Sequence, residues 1–432
     1  MTPSPGNRET NRVDCESPPL IHRLGRRTFR SLRHRDFRLY FFGQVVSFVG
    51  SWMQSTALMW LAYDLTADSL WPALMIVASV GPTLLLGPLA GALADRLPKR
   101  FLVLATQATF LVNAVLLAIV VALNIASPWT LLGLQLVNGL VNAVDLPARL
   151  SFVPDLVPKD DLINAVSLNA MAFNGARFLG PAFAGQIYLL IGSTPQTARI
   201  GAAICFALNA MSYAAVLLAL TRISIGGLRP ASSASTSIFD GLRFLVAERS
   251  LGLLLILTSL LCVFTWPVLS LLPAFTRTVI GHDEKSFSLL VSSLGAGACL
   301  AAAMTATFGT IRRRRLFLGA GATMGSFGVL GLSQAQSPMT AAACCMLLGI
   351  GLVTYLSTGQ STMQLRSPDA IRGRVMAYWA MTLSVSAPVG HLIAGSAAQV
   401  WSVPQVLEVM GGGAILTAAM IVILVSQKGL KR

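Results

Sequence analysis

Stretches of about twenty apolar residues recur from one end of this chain to the other, separated by short polar turns. A bilayer's hydrocarbon core is about 30 Å thick, and a helix needs roughly 20 apolar residues to cross it. Windows of that length are found at 38–63, 70–94, 101–123, 128–147, 163–190 and 198–221. Six more follow at 251–276, 286–308, 315–334, 338–358, 373–398 and 404–426. Only 11% of the 432 residues are charged, whereas a soluble domain carries about 25%. The reading is an all-α integral membrane protein with twelve transmembrane helices in two six-helix halves.

The charge distribution orients the bundle. Of the 32 lysines and arginines, 28 fall on one side: the tail, the linker, the C-terminus and the loops after spans 2, 4, 8 and 10. Basic residues mark the cytoplasmic side, so both termini are expected there, as an even number of spans requires. A net charge of +15 would favour nucleic acid in a soluble protein. Here it is scattered over short loops, and no nucleic-acid partner is expected. The organisation is a basic tail over 1–37, halves over 38–221 and 251–426, a linker over 222–250 and a short C-terminus over 427–432. The linker opens with the flexible GGLRPASSASTS. It then carries Ile238, Leu242, Leu245 and Val246 at helical spacing, the pattern of a helix on the membrane surface. The arginines of the tail suit anionic lipid, and with no apolar h-region the tail is not a signal peptide. The six cysteines form neither a disulfide framework nor a metal spacing, and no metal or cofactor is expected. No phosphate-binding G-x-x-x-x-G-K-[ST] loop is present, so an ion or substrate gradient must supply any energy. Two six-span halves suggest an internal duplication. PARLSFVPDLVPKDDLINA after span 4 is echoed by STMQLRSPDAIRGRVMA after span 10, each leading to a span with an internal proline, Pro181 and Pro388.

The strongest motif is GALADRLPKR over 91–100, between spans 2 and 3. Gly91 allows close helix approach. Asp95 can face the positive end of a neighbouring helix, beside Arg96, Lys99 and Arg100. Such a cluster can latch two halves in one conformation, although a basic turn also serves simply to set orientation. The motif resembles the major facilitator superfamily signature G-x-L-x-D-R-x-G-R-R/K, with Pro98 in place of its glycine. The matching loop of the second half, FGTIRRRRLF, keeps Gly309 and Arg312 to Arg315 but lacks an acid. GQVVSFVGSWMQSTALMWLAYDLT over 43–66, LPARLSFVPDLVPKDDLINAVSLN over 146–169 and RGRVMAYWAM over 372–381 resemble the branch of enterobactin-type siderophore exporters and related efflux proteins. That resemblance implies a monomeric, proton-driven exporter of a small molecule in a bacterial inner membrane. A uniporter or importer on the same fold is the nearest rival. A membrane receptor and a membrane-embedded enzyme are rivals of other classes, and no Ser/His or His/Asp constellation favours the enzyme.

Arg177 is the one basic residue well inside a span, and a charge there is expensive unless used or paired. Gly180, Pro181 and Gly185 beside it partly match the helix 5 antiporter motif of the superfamily. Asp64 and His391 are, with Arg177, the candidates for coupling; a helix-edge aspartate and a hydrogen-bonded packing histidine are their bland readings. Asp145 and Arg149 are expected to join the charged gate with Asp95 and Arg96. Polar and aromatic side chains within spans must face inward. Gln44, Trp52, Gln54, Gln135, Asn138, Asn142, Asn174, Trp266, Gln360, Tyr378 and Trp379 are therefore cavity candidates, some of which will only bond neighbouring helices.

Overall fold

A computed structural model describes residues 30–191, 195–223, 239–281, 284–308, 314–368 and 371–426; side chains at 88–96, 159, 163, 195, 239, 240, 306 and 308 are outside the description. The basic tail before Arg30, the linker over 224–238 and residues 309–313 of FGTIRRRRLF therefore lie outside the described residues. The first six spans are α1 (Arg35–Thr66), α2 (Leu70–Arg96), α3 (Lys99–Ala122), α4 (Pro128–Leu156), α5 (Leu162–Ile191) and α6 (Pro195–Thr221). A short helix, α7 (Phe239–Ala247), precedes the seventh span, which is divided into α8 (Arg249–Thr265) and α9 (Val268–Phe275). The last five are α10 (Glu284–Phe308), α11 (Arg314–Ser333), α12 (Pro338–Arg366), α13 (Arg372–Ala397) and α14 (Val403–Ser426). Among the described residues no strand occurs.

Ten of these segments are long and apolar enough to cross a membrane on length and composition alone. The other two of the twelve are α5 and α13, and both lie at the seam between the halves. There α5 packs on α10 and α13 packs on α2. A helix shielded by protein on that side tolerates Arg177 or His391 better than one wrapped in lipid.

One helix of each half ends in the same way. α4 and α12 each have 29 residues, and each starts at a Ser-Pro pair with threonine at the third helical position. Ser127 Oγ accepts from the Thr130 amide at 3.1 Å and Ser337 Oγ from the Thr340 amide at 3.2 Å, satisfying an amide that has no partner within the helix. Proline at the first helical position loses nothing there. Both helices stop just before an Xaa-Pro step, Val157-Pro158 and Ser367-Pro368, where the residue before proline leaves the helical region. Both therefore run past the ends expected from apolar composition, 147 and 358, and Gln360 lies within α12. The seventh span departs from expectation by breaking at Trp266-Pro267, where proline removes an amide donor and crowds the preceding turn.

The linker helix does not simply lie on a surface. Leu245 is buried in the core of the second half with Val375 and Trp379, while Leu242 and Val246 stay exposed. Glu248, at the turn into α8, pairs with Arg366 at 3.1 Å. At the other terminus, Asp161 between α4 and α5 receives Arg30 at 2.7 Å, Arg33 at 2.9 Å and His34 at 2.7 Å. The His34 hydrogen bond holds its carboxyl below the ordinary value, and the two arginines add to this against the opposing effect of burial.

The apolar cores reveal the conformation. At the end bearing the termini, Phe37, Tyr40, Phe152 and Leu220 form a cluster within the first half. Leu251, Leu254, Trp379 and Leu424 form a separate one within the second. At the opposite end one cluster spans both halves, joining Met59, Trp60 and Tyr63 of α1 to Leu271, Phe275 and Phe287. Asp64, at the end of α1, is ion-paired with Arg277 after α9, and Gln399 donates to Asp68 at 2.9 Å. The bundle is shut at that end and carries separate cores at the other.

Close packing in the first half rests on Gly139 of α4, where a Cβ would lie 2.1 Å from the Ala78 carbonyl oxygen of α2. A Cβ at Gly133 on the same helix would meet nothing within 4 Å. Gly139→Ala is expected to lower stability by about 1–3 kcal/mol through overpacking. Gly133→Ala should leave it unchanged or raise it by up to about 1 kcal/mol. Thermal unfolding of the two purified variants checks the contrast.

Candidate functional site

A polar stripe on α4 organises an internal site of the first half. Gln135, Asn138, Asn142, Asp145 and Arg149 recur at three- and four-residue steps, which place them on one helical face. Facing them, α1 presents Ser47, Ser51, Gln54 and Ser55 on its own stripe. Between the stripes lies a cavity of about 340 Å³, closed by Ser79, Gln107 and Tyr213 and walled by Phe48, Trp52, Phe110 and Phe173. The aromatic walls are coupled edge to face: Phe173 meets Phe48 at 5.5 Å and Trp52 at 6.1 Å between centroids. Tyr213 stacks on Phe110 at 5.4 Å and shares a hydrogen bond with Ser51 at 3.0 Å. Amides and hydroxyls between aromatic faces suit a small molecule with both polar groups and flat apolar surface.

Asp145 is fully buried, and Arg149 Nε lies 2.6 Å from its Oδ2. Thr106 donates to Asp145 Oδ1 at 2.7 Å and Gln107 donates to the same atom at 3.2 Å. Arg149 in turn donates to Gln44 Oε1 at 2.9 Å and sits over the Phe48 ring at 5.4 Å. This pair therefore ties α4 to α3 and α1, and both members line the cavity. Of the cavity candidates, Trp52, Gln54, Gln135, Asn138 and Asn142 lie in its wall. Gln44 sits behind the wall as the partner of Arg149. Asn174 Nδ2 donates to its own helix at Ala170 O, at 2.9 Å.

The candidates of the second half go elsewhere. Trp379 is buried in that half's core, against Gly359, and Tyr378 packs over Gly241 of α7. Trp266 occupies the break of the seventh span, and Gln360 is exposed on α12. Burial in membrane helices selects residues for packing as readily as for ligand contact, and aromatic residues fill both roles.

The coupling candidates separate in the same way. Asp64 bridges the halves at the closed end through Arg277. His391, 3% exposed, shares a 2.8 Å hydrogen bond with Ser270 of α9, away from the cavity. The Arg177 guanidinium lies over the Trp52 ring at 5.1 Å. Gly180 lets α5 touch α1, since a Cβ there would be 2.5 Å from Trp52 Cβ, and Gly185 faces Ser288 of α10. Pro181 lies within α5. In the motif after α2, the side chains of Gly91, Asp95 and Arg96 lie outside the described residues. Lys99 donates to Asp155 at 3.0 Å, and Arg100 caps α6 through the Leu220 and Thr221 carbonyls at 3.1 and 3.2 Å. Those bonds stay within the first half.

Ser47, Ser51, Ser55, Gln107 and Tyr213 were not among the sequence candidates. The four-residue spacing of the α1 serines carries the signal, and serine is easily discounted because it often bonds its own helix.

A buried ion pair is costly to break from one side, by about 3–5 kcal/mol. Asp145→Ala should destabilise by that order, and adding Arg149→Gln should recover part of the loss. A double-mutant cycle of thermal unfolding measures the coupling, and strict additivity would show the pair to be energetically idle.

Residues 26–430 match the family described as transmembrane secretion effector. The staphyloferrin A transporter of Staphylococcus aureus is 24% identical, over 87% of this chain and 92% of its own length. An enterobactin exporter of Salmonella choleraesuis is 22% identical, with 91% and 93% covered. Macrolide efflux protein A of Streptococcus pyogenes is 20% identical, with 84% and 90% covered. In structure, a bacterial homologue of the human lysosomal transporter Spinster, inward-facing and unoccupied, superposes with a TM-score of 0.68 at 15% identity. It covers 90% of this chain and 97% of its own. A bacterial homologue of the iron transporter ferroportin, also inward-facing, gives 0.67 at 15% identity, over 91% and 99%. The chain is a multi-pass membrane transporter, not an enzyme, and belongs to the transmembrane secretion effector family of the major facilitator superfamily.

Proposed function

We propose that this transporter exports a small amphipathic, siderophore-like molecule across a bacterial inner membrane in exchange for protons, by alternating access. The observation that carries this reading is the buried Asp145–Arg149 pair in the cavity wall. A proton on Asp145 Oδ2 would cancel the charge that holds Arg149, leaving the wall with a net cation where it had a neutral pair. A site whose charge depends on its protonation state is what exchange of a proton for a substrate requires. The excess of basic residues in loops on the side of the termini supports a cytoplasmic position for both ends. On that reading the end with separated cores faces the cytoplasm, where an exporter loads. The relatives that carry siderophores or macrolides support an amphipathic substrate class.

Alternating access would rock the first half against the second about a central site, with the loop of Gly91, Asp95 and Arg96 as the latch of the opposite state. Proteoliposomes with a trapped pH dye and a panel of catecholate siderophores, cationic dyes and hydrophobic antibiotics test the proposal. The expected result is substrate-dependent proton flux in wild type. In Asp145→Asn that flux falls to background while substrate counterflow persists. Substrate movement without proton flux for every transported compound would replace antiport with facilitated diffusion.

A further inference from the structure

One cation, Arg149, lines the cavity, and a second, Arg177, adjoins it through the wall residue Trp52; only the first is matched by a carboxylate among the described residues. Arg149 is neutralised by Asp145 and held by Gln44. Arg177 has no carboxylate partner among the described residues; its guanidinium rests on the face of Trp52, a cavity wall, and its buried Nε has no acceptor. A cation–π contact contributes less than the cost of placing an arginine at mid-membrane. The ring alone does not offset the charge. Arg177 lies 15 residues into the 30 of α5, so roughly 20 Å of helix separates it from either end at about 1.5 Å per residue. Lipid head groups lie beyond that reach, and an anion at this depth arrives as a solute through the cavity.

Its position is also the seam. A Cβ on Gly295 of α10 would lie 2.4 Å from the Arg177 carbonyl oxygen, and Cys299 of α10 donates to the Asn174 carbonyl oxygen at 3.1 Å. A ligand held here touches the first half while lying against the second. The Nε edge of a guanidinium offers two parallel donors to a planar acceptor, and one unmatched positive charge calls for one negative charge. We infer that Arg177 docks a carboxylate of the transported molecule, whose flat or aromatic body lies along Trp52, Phe173 and Phe48. The inference rests on the transport reading above and names the substrate class of that site: a carboxylate with an aromatic or otherwise flat apolar body.

The test uses the purified full chain in neutral detergent at pH 7 and constant chloride, with 4-hydroxybenzoate and its neutral isostere 4-hydroxybenzamide as probes at equal concentrations up to about 10 mM. The expected result is a rise in melting temperature of about 2 °C or more with the acid and a clearly smaller one with the amide. Arg177→Gln should abolish the preference for the acid. Arg177→Lys, which keeps the charge and loses the fork, should retain a reduced preference. Equal responses of wild type to acid and amide, including no response to either, overturn the inference, as does an undiminished preference in Arg177→Gln. Should that variant fail to fold, an acid preference in Arg177→Lys equal to wild type also overturns it. The two readings fail separately. Proton-coupled movement of neutral substrates with no acid preference leaves antiport standing and removes the Arg177 site. An acid preference without proton flux does the reverse.

Discussion

Taking a carboxylate and a guanidinium out of water costs several kcal/mol for each, and the cost is recovered only where geometry and further hydrogen bonds are good. Asp145 and Arg149 sit one turn apart on α4, with Thr106 and Gln107 donating to the carboxylate and Gln44 accepting from the guanidinium. Because those partners come from α3 and α1, the pair fixes how three helices of the first half sit around the cavity. The polar stripes of α4 and α1 would otherwise be a burden in a bilayer. They become a cavity lining because the pair aims the α4 stripe at α1. Asn209, which donates to Gln54 at 2.8 Å, ties the α1 stripe to α6.

The first half carries this site largely alone. Every residue in the cavity wall lies between Ser47 and Tyr213. The second half contributes the closure of the far end and, through α10, the surface beside Arg177. Matching helices α4 and α12 keep the same length and the same caps, yet α12 has no counterpart of Asp145 and Arg149 at equivalent positions; Tyr355 and Gly359 stand there. The two halves share this frame, while the polar chemistry lies in one of them.

Much of this was legible in the chain itself, for local reasons. Apolar runs have the length the bilayer demands, so the succession of membrane helices could be placed, and helix ends beyond the apolar limit are written in Ser-Pro and Xaa-Pro steps. The α4 stripe was legible because its amides and charges share one face. Contacts between distant segments were not. Asp64 meets Arg277 across 213 positions, and neither residue differs locally from any helix-edge charge. Trp379 and Trp52 look alike as aromatic residues in spans, but Trp379 packs on Gly359 and Trp52 walls a cavity. That distinction depends on which helices become neighbours, and a pattern along one helix does not hold it.

What keeps the far end shut can be decided by magnitude. The Asp64–Arg277 pair leaves Arg277 48% exposed, and an ion pair in that setting contributes about 0–1 kcal/mol. The cluster of Met59, Trp60, Tyr63, Leu271, Phe275 and Phe287 would meet water if that end opened, at about 1.5–3 kcal/mol for each large side chain fully re-exposed. The apolar plug therefore supplies most of the closure, and the ion pair sets its register. A transporter that must reopen this end has to offset that apolar cost at the other end, where cores now separate would come together. The seam contacts of α5 with α10 and α2 with α13 need not break for this exchange, because they cross at backbone distance through glycines such as Gly295 and Gly395. Close backbone contact at these glycines keeps bulky side chains out of the crossing points, and the Arg177 backbone lies at one of them, against Gly295.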